Sequence, residues 1–319
     1  MSADMPARDG RHAVTPIGIG RNIEPEIAGN APAAMLNPLL PLMYEAIVRT
    51  ALLEDLGRAG DITADAIVPA AHRAKLVMRA RQPGVVAGLD VARCAFQMVS
   101  PEITFDTERG DGSRVEPGQT IAAIEGPARA LLTAERTALN FVCHLSGVAT
   151  ATASLVAAVR GSRARIICTR KTTPGLRSLE KYAVRAGGGS NHRFGLDDAV
   201  LIKDNHIALA GDISTAVARA KAHAGHLVKI QVEVDTLAQL ERALALGVDA
   251  VLLDNMSVEQ LRQAVALVDG KVVTEASGRV TAATAPAIAA TGVDLISVGW
   301  LTHSAPTLDI GLDYPELNR

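Results

Sequence analysis

The sequence is short of cysteine, of net charge and of long apolar runs, and each shortage closes off a class of protein. Its three cysteines, Cys94, Cys143 and Cys168, are too few and too scattered for a disulfide framework or a zinc site, so buried thiols in a reducing compartment are expected. Lys and Arg number 32 against 34 Asp and Glu, a formal net charge of -2. That balance excludes a broad electrostatic footprint for nucleic acid and confines any positive field to one locality. No window approaches about 18 uninterrupted apolar residues, and the first residues lack an apolar core behind a basic start. Neither a membrane span nor a secretory leader is expected, and a cytoplasmic location follows. The dinucleotide fingerprint is missing too, since no G-x-G-x-x-G follows a strand and opens a helix.

What remains is ample core material, 48% hydrophobic residues against 21% charged, enough for one large domain or two smaller ones. Residues 1–33 mix Ala, Pro, Gly and charge without periodicity, the pattern of a poorly ordered tail. From Pro38 to about Asp55, Leu40, Met43, Ile47, Leu52 and Leu53 recur at roughly helical spacing, and the run breaks at Gly57 and Gly60. Between Ala74 and Thr133, short apolar runs such as AKLVMRA and QTIAAIEG, cut by Gly and Pro, predict a strand-rich region. The stretch LLTAERTALNFVCHLSGVATATASLVAAV then predicts one or two long helices, with a domain boundary near residue 145.

After Arg163 the text repeats. The runs RIICT, DAVLIK, VKIQVEV, DAVLLD, KVVTEAS and DLISVG alternate with Ala- and Leu-rich segments, as successive βα units do. Short connections and two Gly-Val-Asp turns, at Gly247 and Gly292, favour a closed parallel barrel over an open sheet. Each of these strands finishes on a polar or flexible residue: Arg170 and Lys171, Lys203, Glu233, Asp254, Ser277 and Gly299. In such barrels the carboxyl ends of the strands share one mouth, so the set predicts a common site.

Arg170, Lys171, Arg177, Lys181, Arg185, His192, Arg193 and Lys203 fall within one stretch containing few acids, which calls for a polyanionic ligand. Arg suits planar carboxylate or phosphate and Lys offers a mobile point charge, so the mixture suggests a carboxylate-bearing and a phosphate-bearing ligand. Gly187, Gly188 and Gly189 are either a flexible loop or a place where backbone amides approach a ligand. Glu233 and Asp254 suit a hydrated Mg²⁺, a sugar diol or a cationic transition state, and equally an ion pair with nearby bases. Ser277-Gly278 and Val298-Gly299 match the late-strand phosphate site of barrels. A strand-end lysine such as Lys203 also suits a Schiff base, and a non-catalytic anion binder is a further alternative.

With these residues in view, the chain closely resembles the quinolinate phosphoribosyltransferase family. The resemblance runs from EDLGRAGDIT (Glu54 to Thr63) through AERTALNF, TRKTTPGLR, GGGSNHR, LIKDNH, VEVD, LLDNM and EASG to SVGWLTHSAP (Ser297 to Pro306). It implies an α/β fold of two domains, an N-terminal α/β sandwich over 34–145 and an incomplete, seven-stranded α/β barrel related to the TIM barrel over 146–304. The segment 305–319 is expected to return to the sandwich.

The resemblance also implies a reaction, joining quinolinate to phosphoribosyl pyrophosphate with Mg²⁺ and releasing pyrophosphate and carbon dioxide. It implies a homodimer or higher homo-oligomer in which Arg136 arrives from the neighbouring subunit. Arg136, Arg170, His192, Arg193 and Lys203 would grip the quinolinate carboxylates, beside Thr169, and Lys171 would face the ribosyl phosphates as a catalytic group. Glu233 and Asp254 would serve the ribose and Mg²⁺, directly or through water or substrate. Ser277, Gly278, Val298, Gly299 and His303 would form the 5′-phosphate pocket. Two residues depart from the family pattern beside that pocket: Arg279, where another glycine is usual, and Trp300, where a small residue is usual. The runner-up within the same scaffold is a nicotinate phosphoribosyltransferase.

Overall fold

The computed structural model describes residues 36–315, so the tail expected over 1–33 lies outside the described residues. A 3-10 turn at Pro41–Met43 leads into helix α1 (Glu45–Leu56), with Pro41 at the first turn, where a missing N–H costs nothing. Gly57, at φ 55, ends the helix. The apolar spacing seen in the sequence does not describe one face, because Val48 and Leu52 are buried while Leu40, Met43 and Leu53 are exposed. Helix α2 (Ile62–Ile67) is capped by Asp61, whose Oδ1 accepts from the Thr63 and Ala64 amides.

Next come β1 (Arg73–Ala80), β2 (Gly84–Val85), α3 (Leu89–Val99), β3 (Thr104–Thr107), β4 (Arg114–Val115) and β5 (Thr120–Pro127). The chain then forms α4 (Ala128–Ala158), one helix of 31 residues and so roughly 45 Å long. By length and composition α4 could cross a membrane, but most of its apolar window is buried inside the molecule, as in a core helix. Leu131, Ala138, Val142 and Leu145 belong to the N-terminal core and Leu155 to the barrel core. The boundary expected near residue 145 lies in mid-helix, and the buried residues change core only between Ala153 and Leu155, as helical periodicity continues.

The second half supplies β6 (Arg165–Ile167), α5 (Arg177–Ala186), β7 (Val200–Ile202), α6 (Asp204–Ala210), α7 (Ile213–His223), β8 (Ile230–Val234) and α8 (Leu237–Ala245). It continues with β9 (Ala250–Asp254), α9 (Val258–Val268), β10 (Val273–Ser277), α10 (Ala285–Ala289), β11 (Leu295–Ser297) and α11 (Trp300–His303). These six strands form one all-parallel sheet in the order β6-β11-β10-β9-β8-β7. A seventh strand is reduced to one parallel bridge, Ile167 to Ser190, beside β6. No bridge joins Ser190 to β7 among the described residues, so the barrel is incomplete rather than closed.

The two Gly-Val-Asp turns share a structural task at the amino ends of the strands. Asp249 accepts from the Ile230 amide and Asp294 from the Thr274 amide, each satisfying a neighbouring strand where its ladder starts. Finally β12 (Ile310–Asp313) pairs antiparallel with β1, giving the N-terminal sheet the order β12-β1-β5-β3. The return is secured by the Leu308 amide donating to the Cys143 carbonyl of α4.

Candidate active site

The carboxyl ends of the parallel strands surround a cavity of about 550 Å³. The β6 end contributes Thr169, Arg170 and Lys171, the loop after α5 His192 and Arg193, and β7 and its exit Leu201 and Lys203. Glu233 comes from β8, and Leu252, Asp254 and Asn255 from β9 and its exit. The remaining wall is Glu275, Ser277, Gly278 and Arg279 from β10, and Ser297 and Gly299 from β11.

Twelve of the sequence-predicted residues thus meet in one place: Thr169, Arg170, Lys171, His192, Arg193, Lys203, Glu233, Asp254, Ser277, Gly278, Arg279 and Gly299. Four stand apart. Arg136, on α4, lines a different cavity of about 340 Å³ with Glu54, Asp55, Asn140 and His144. Val298 is buried. His303 is exposed and its Nδ1 lies 2.6 Å from the Ser304 hydroxyl. Trp300 donates through Nε1 to the Val280 carbonyl at 2.9 Å, and its ring packs on the barrel core.

Positive charge dominates the wall formed by Arg170 and Arg193. Burial and the neighbouring Arg170 both push the Arg193 guanidinium below its ordinary pKa. The Nε atoms of both arginines are buried without a hydrogen-bond partner. Each unpaired buried N–H costs about 1–3 kcal/mol, which a bound anion would recover along with the repulsion. The backbone beneath is tightly held. Arg193 Nη1 donates to the Ala199 carbonyl at 2.9 Å, and buried Lys181 donates through Nζ to the His192 carbonyl at 2.8 Å. Arg177 bridges the two basic loops, donating to Thr172 Oγ1 and to the Phe194 carbonyl.

Lys171 is anchored at both ends of its peptide: its amide donates to Thr169 Oγ1 at 3.0 Å, and its carbonyl accepts from Thr302 Oγ1 at 2.7 Å. Its side-chain stem runs over Gly299, where an added Cβ would stand 3.0 Å from Lys171 Cδ. On the opposite wall Lys203 Nζ pairs with Glu233 Oε2 at 2.5 Å, and Asn255 Nδ2 donates to Asp254 Oδ2 at 2.6 Å. The mouth backbone is unusual there, with Asn255 at φ 51 and Gly278 at φ 145, the latter a conformation that side chains rarely adopt.

The triple glycine takes no part in the cavity. A Cβ on Gly187 would stand 2.3 Å from the Ala149 carbonyl oxygen, and one on Gly189 2.7 Å from Thr152 Cγ2. These glycines let the turn lie against α4, which is packing, not ligand approach.

Sequence reasoning passed over Asn255, Glu275 and Ser297, and the hydrogen-bonded Gln231 beneath them. Strand periodicity contains the signal, because Gln231, Glu275 and Ser297 each lie two residues before a strand-end site residue and so face the same side. They form the layer below the mouth.

A parallel α/β barrel with cations and carboxylates convergent at its strand carboxyl ends defines the class, a barrel enzyme that handles anionic substrates. Family models described as quinolinate phosphoribosyl transferase, N-terminal domain and C-terminal domain, match residues 61–146 and 148–313. The chain belongs to the quinolinate phosphoribosyltransferase family. It is 48% identical over 273 residues to nicotinate-nucleotide pyrophosphorylase [carboxylating] of Mycobacterium leprae, covering 83% of this chain and 95% of that one. It is 43% identical to the probable nicotinate-nucleotide pyrophosphorylase [carboxylating] of Bacillus subtilis, covering 85% and 93%. A crystal structure of NadC from Streptococcus pyogenes superposes with a TM-score of 0.84 at 43% identity, covering 87% of this chain and 99% of that one.

Proposed function

We propose that the chain transfers the phosphoribosyl group of phosphoribosyl pyrophosphate to quinolinate with decarboxylation, yielding nicotinate mononucleotide, pyrophosphate and CO2. The observation that carries this reading is the pair Arg170 and Arg193, both with orphaned Nε atoms, facing a cavity shared with Glu233 and Asp254. Two adjacent guanidinium groups suit a planar dicarboxylate. Two carboxylates suit the ribose hydroxyls and the positive charge that develops at the anomeric carbon as pyrophosphate departs. Lys171, Ser277, Gly278, Arg279 and Gly299 lie on the part of the wall assigned to phosphates.

In this scheme the ring nitrogen forms the new bond to the anomeric carbon while the bond to pyrophosphate breaks. The alkylated ring is then an electron sink, so the bond to the 2-carboxylate breaks with its electron pair retained on the ring. CO2 leaves and a solvent proton takes its place. Arg170 and Arg193 hold and orient the dicarboxylate.

The residues fit magnesium brought in by a substrate rather than a protein cage. No three His, Cys, Asp or Glu side chains form a metal cluster among the described residues. Lys203 takes one oxygen of Glu233 and Asn255 one of Asp254, leaving a second oxygen on each for a hydrated ion shared with phosphates. Magnesium held there would offset charge on the pyrophosphate.

A homodimer completed by Arg136 in trans belongs to the same proposal, as does a cytoplasmic location. Its support is the setting of Arg136, outside the barrel cavity and in a hollow shared with Ile62 and Leu132, which are 69% and 43% exposed. Exposed apolar side chains around a charged residue favour burial against a second copy. The pairing of Lys203 with Glu233 weighs against a Schiff-base role, because a paired ammonium is not a nucleophile.

The test is an assay of the full chain with quinolinate, phosphoribosyl pyrophosphate and magnesium, following nicotinate mononucleotide and CO2 together. Equal release of both is expected, with nicotinate a poor replacement for quinolinate. Equal turnover of the two acids would defeat the proposal.

A further inference from the structure

Beneath the basic wall lies an acid that the proposed reaction leaves unassigned. Glu275 is 1% exposed and reaches the cavity floor from β10. Its Oε2 accepts from Gln231 Nε2 at 2.7 Å and lies 3.4 Å from His192 Nε2, and its buried Oε1 has no partner. Gln231 Oε1 in turn lies 3.1 Å from His192 Nε2. At the far side of the ring His192 Nδ1 accepts the Arg193 amide at 2.7 Å.

The direction of this chain follows from the chemistry of its ends. An ionised carboxylate only accepts, so Gln231 must turn its NH₂ toward Glu275 and its carbonyl toward His192. That carbonyl also only accepts, so His192 must carry its proton on Nε2. The Arg193 amide requires the same answer, since it needs a bare Nδ1.

We propose that Glu275 is a positioning residue that, through Gln231, fixes His192 as its Nε2-protonated tautomer and makes the ring a rigid wall of the acid-substrate site. Both ring nitrogens are then occupied by the protein, and the grip on the carboxylates falls to Arg170, Arg193 and Lys203, with Arg136 in trans. The negative floor also turns a bound dicarboxylate toward those arginines. This inference rests on the reading of the cavity as the quinolinate site, but its first test does not.

In full-length protein labelled with ¹⁵N-histidine, the His192 ring, assigned by its loss in His192→Gln, is expected to show the Nε2-protonated pattern. An Nδ1-protonated pattern would overturn the proposal whether or not the chain turns over quinolinate. Kinetics supply the second arm. Glu275→Leu removes the acceptor and is expected to raise KM for quinolinate about tenfold, as loss of a supporting hydrogen bond does elsewhere. It should leave KM for phosphoribosyl pyrophosphate nearly unchanged. Glu275→Gln keeps a carbonyl acceptor and is expected to stay near wild type in KM and tautomer. A Glu275→Leu protein with both KM values unchanged, or a Glu275→Gln protein as impaired as Glu275→Leu, would overturn the assignment.

Discussion

Lys203 Nζ and Glu233 Oε2 meet at 2.5 Å across the parallel pair β7 and β8, joining the two sides of the cavity that the proposed reaction uses differently. In the proposed reaction Lys203 faces the dicarboxylate and Glu233 the ribose, so the pair would tie acid recognition to sugar recognition. Removing either member leaves the other charge unbalanced. Lys203→Ala and Glu233→Ala are each expected to lower kcat/KM roughly a hundredfold, about 3 kcal/mol. The double variant should lose much less than the sum of the two. Additive losses in this double-mutant cycle would show that the pair does not act as a unit.

Arg170 and Arg193 predict a specificity signature. Arg170→Ala and Arg193→Ala should each raise KM for quinolinate at least about tenfold, the loss of a charged hydrogen-bond pair. KM for phosphoribosyl pyrophosphate should change little. Steady-state kinetics with one substrate saturating decides it, and equal effects on both substrates would contradict the division of the cavity.

Arg136 lies on α4 away from the barrel cavity, so its proposed contribution is to a neighbouring copy. Arg136→Ala and Lys171→Ala are each expected to be nearly inactive alone. Mixed and allowed to exchange subunits, they should recover roughly a quarter of wild-type activity, since half the dimers would hold one intact site of two. No recovery despite exchange would place Arg136 in cis or outside the reaction.

Asp111 predicts a pH effect on stability. Burial raises its pKa above the ordinary aspartate value, against opposing hydrogen bonds from Tyr182 and the Gly88 and Leu89 amides at the start of α3. The folded state therefore holds this proton more tightly than the unfolded chain. The contribution is fully present below about pH 4 and is lost as pH rises through the elevated folded value. Asp111→Asn should gain stability relative to wild type over that rise, read from thermal midpoints. A gap that does not change with pH would refute it.

The barrel was legible because its strands are short β-branched runs at regular intervals, and its site because charges at strand ends have little structural use. TRKTTPGLR and LIKDNH carried both signals at once. Less legible were features that depend on partners remote in sequence. Glu275 sits inside VTEAS and looks like one more strand residue until Gln231, from two strands away, is placed beside it. Trp300 reads in the sequence only as added bulk beside the phosphate pocket, and the Val280 carbonyl shows that its polar edge is already engaged. The glycine triplet leaves a flexible loop and ligand approach both open, whereas Ala149 and Thr152 on α4 are what require it. The helical spacing before Gly57 does not tell which residues are buried: Val48 and Leu52 are, whereas Leu53 in α1 and Met43 before it are exposed.

Because α4 passes from the N-terminal core into the barrel core within one unbroken hydrogen-bonded rod, neither half owns its own full complement of walls. Melting should then be a single cooperative event, with the anion site and the N-terminal sheet lost at the same temperature. A fragment cut anywhere within α4 would carry away a raw apolar stripe and precipitate rather than fold. Recombining this family's front and back halves between relatives should succeed only when the joint lies outside that helix.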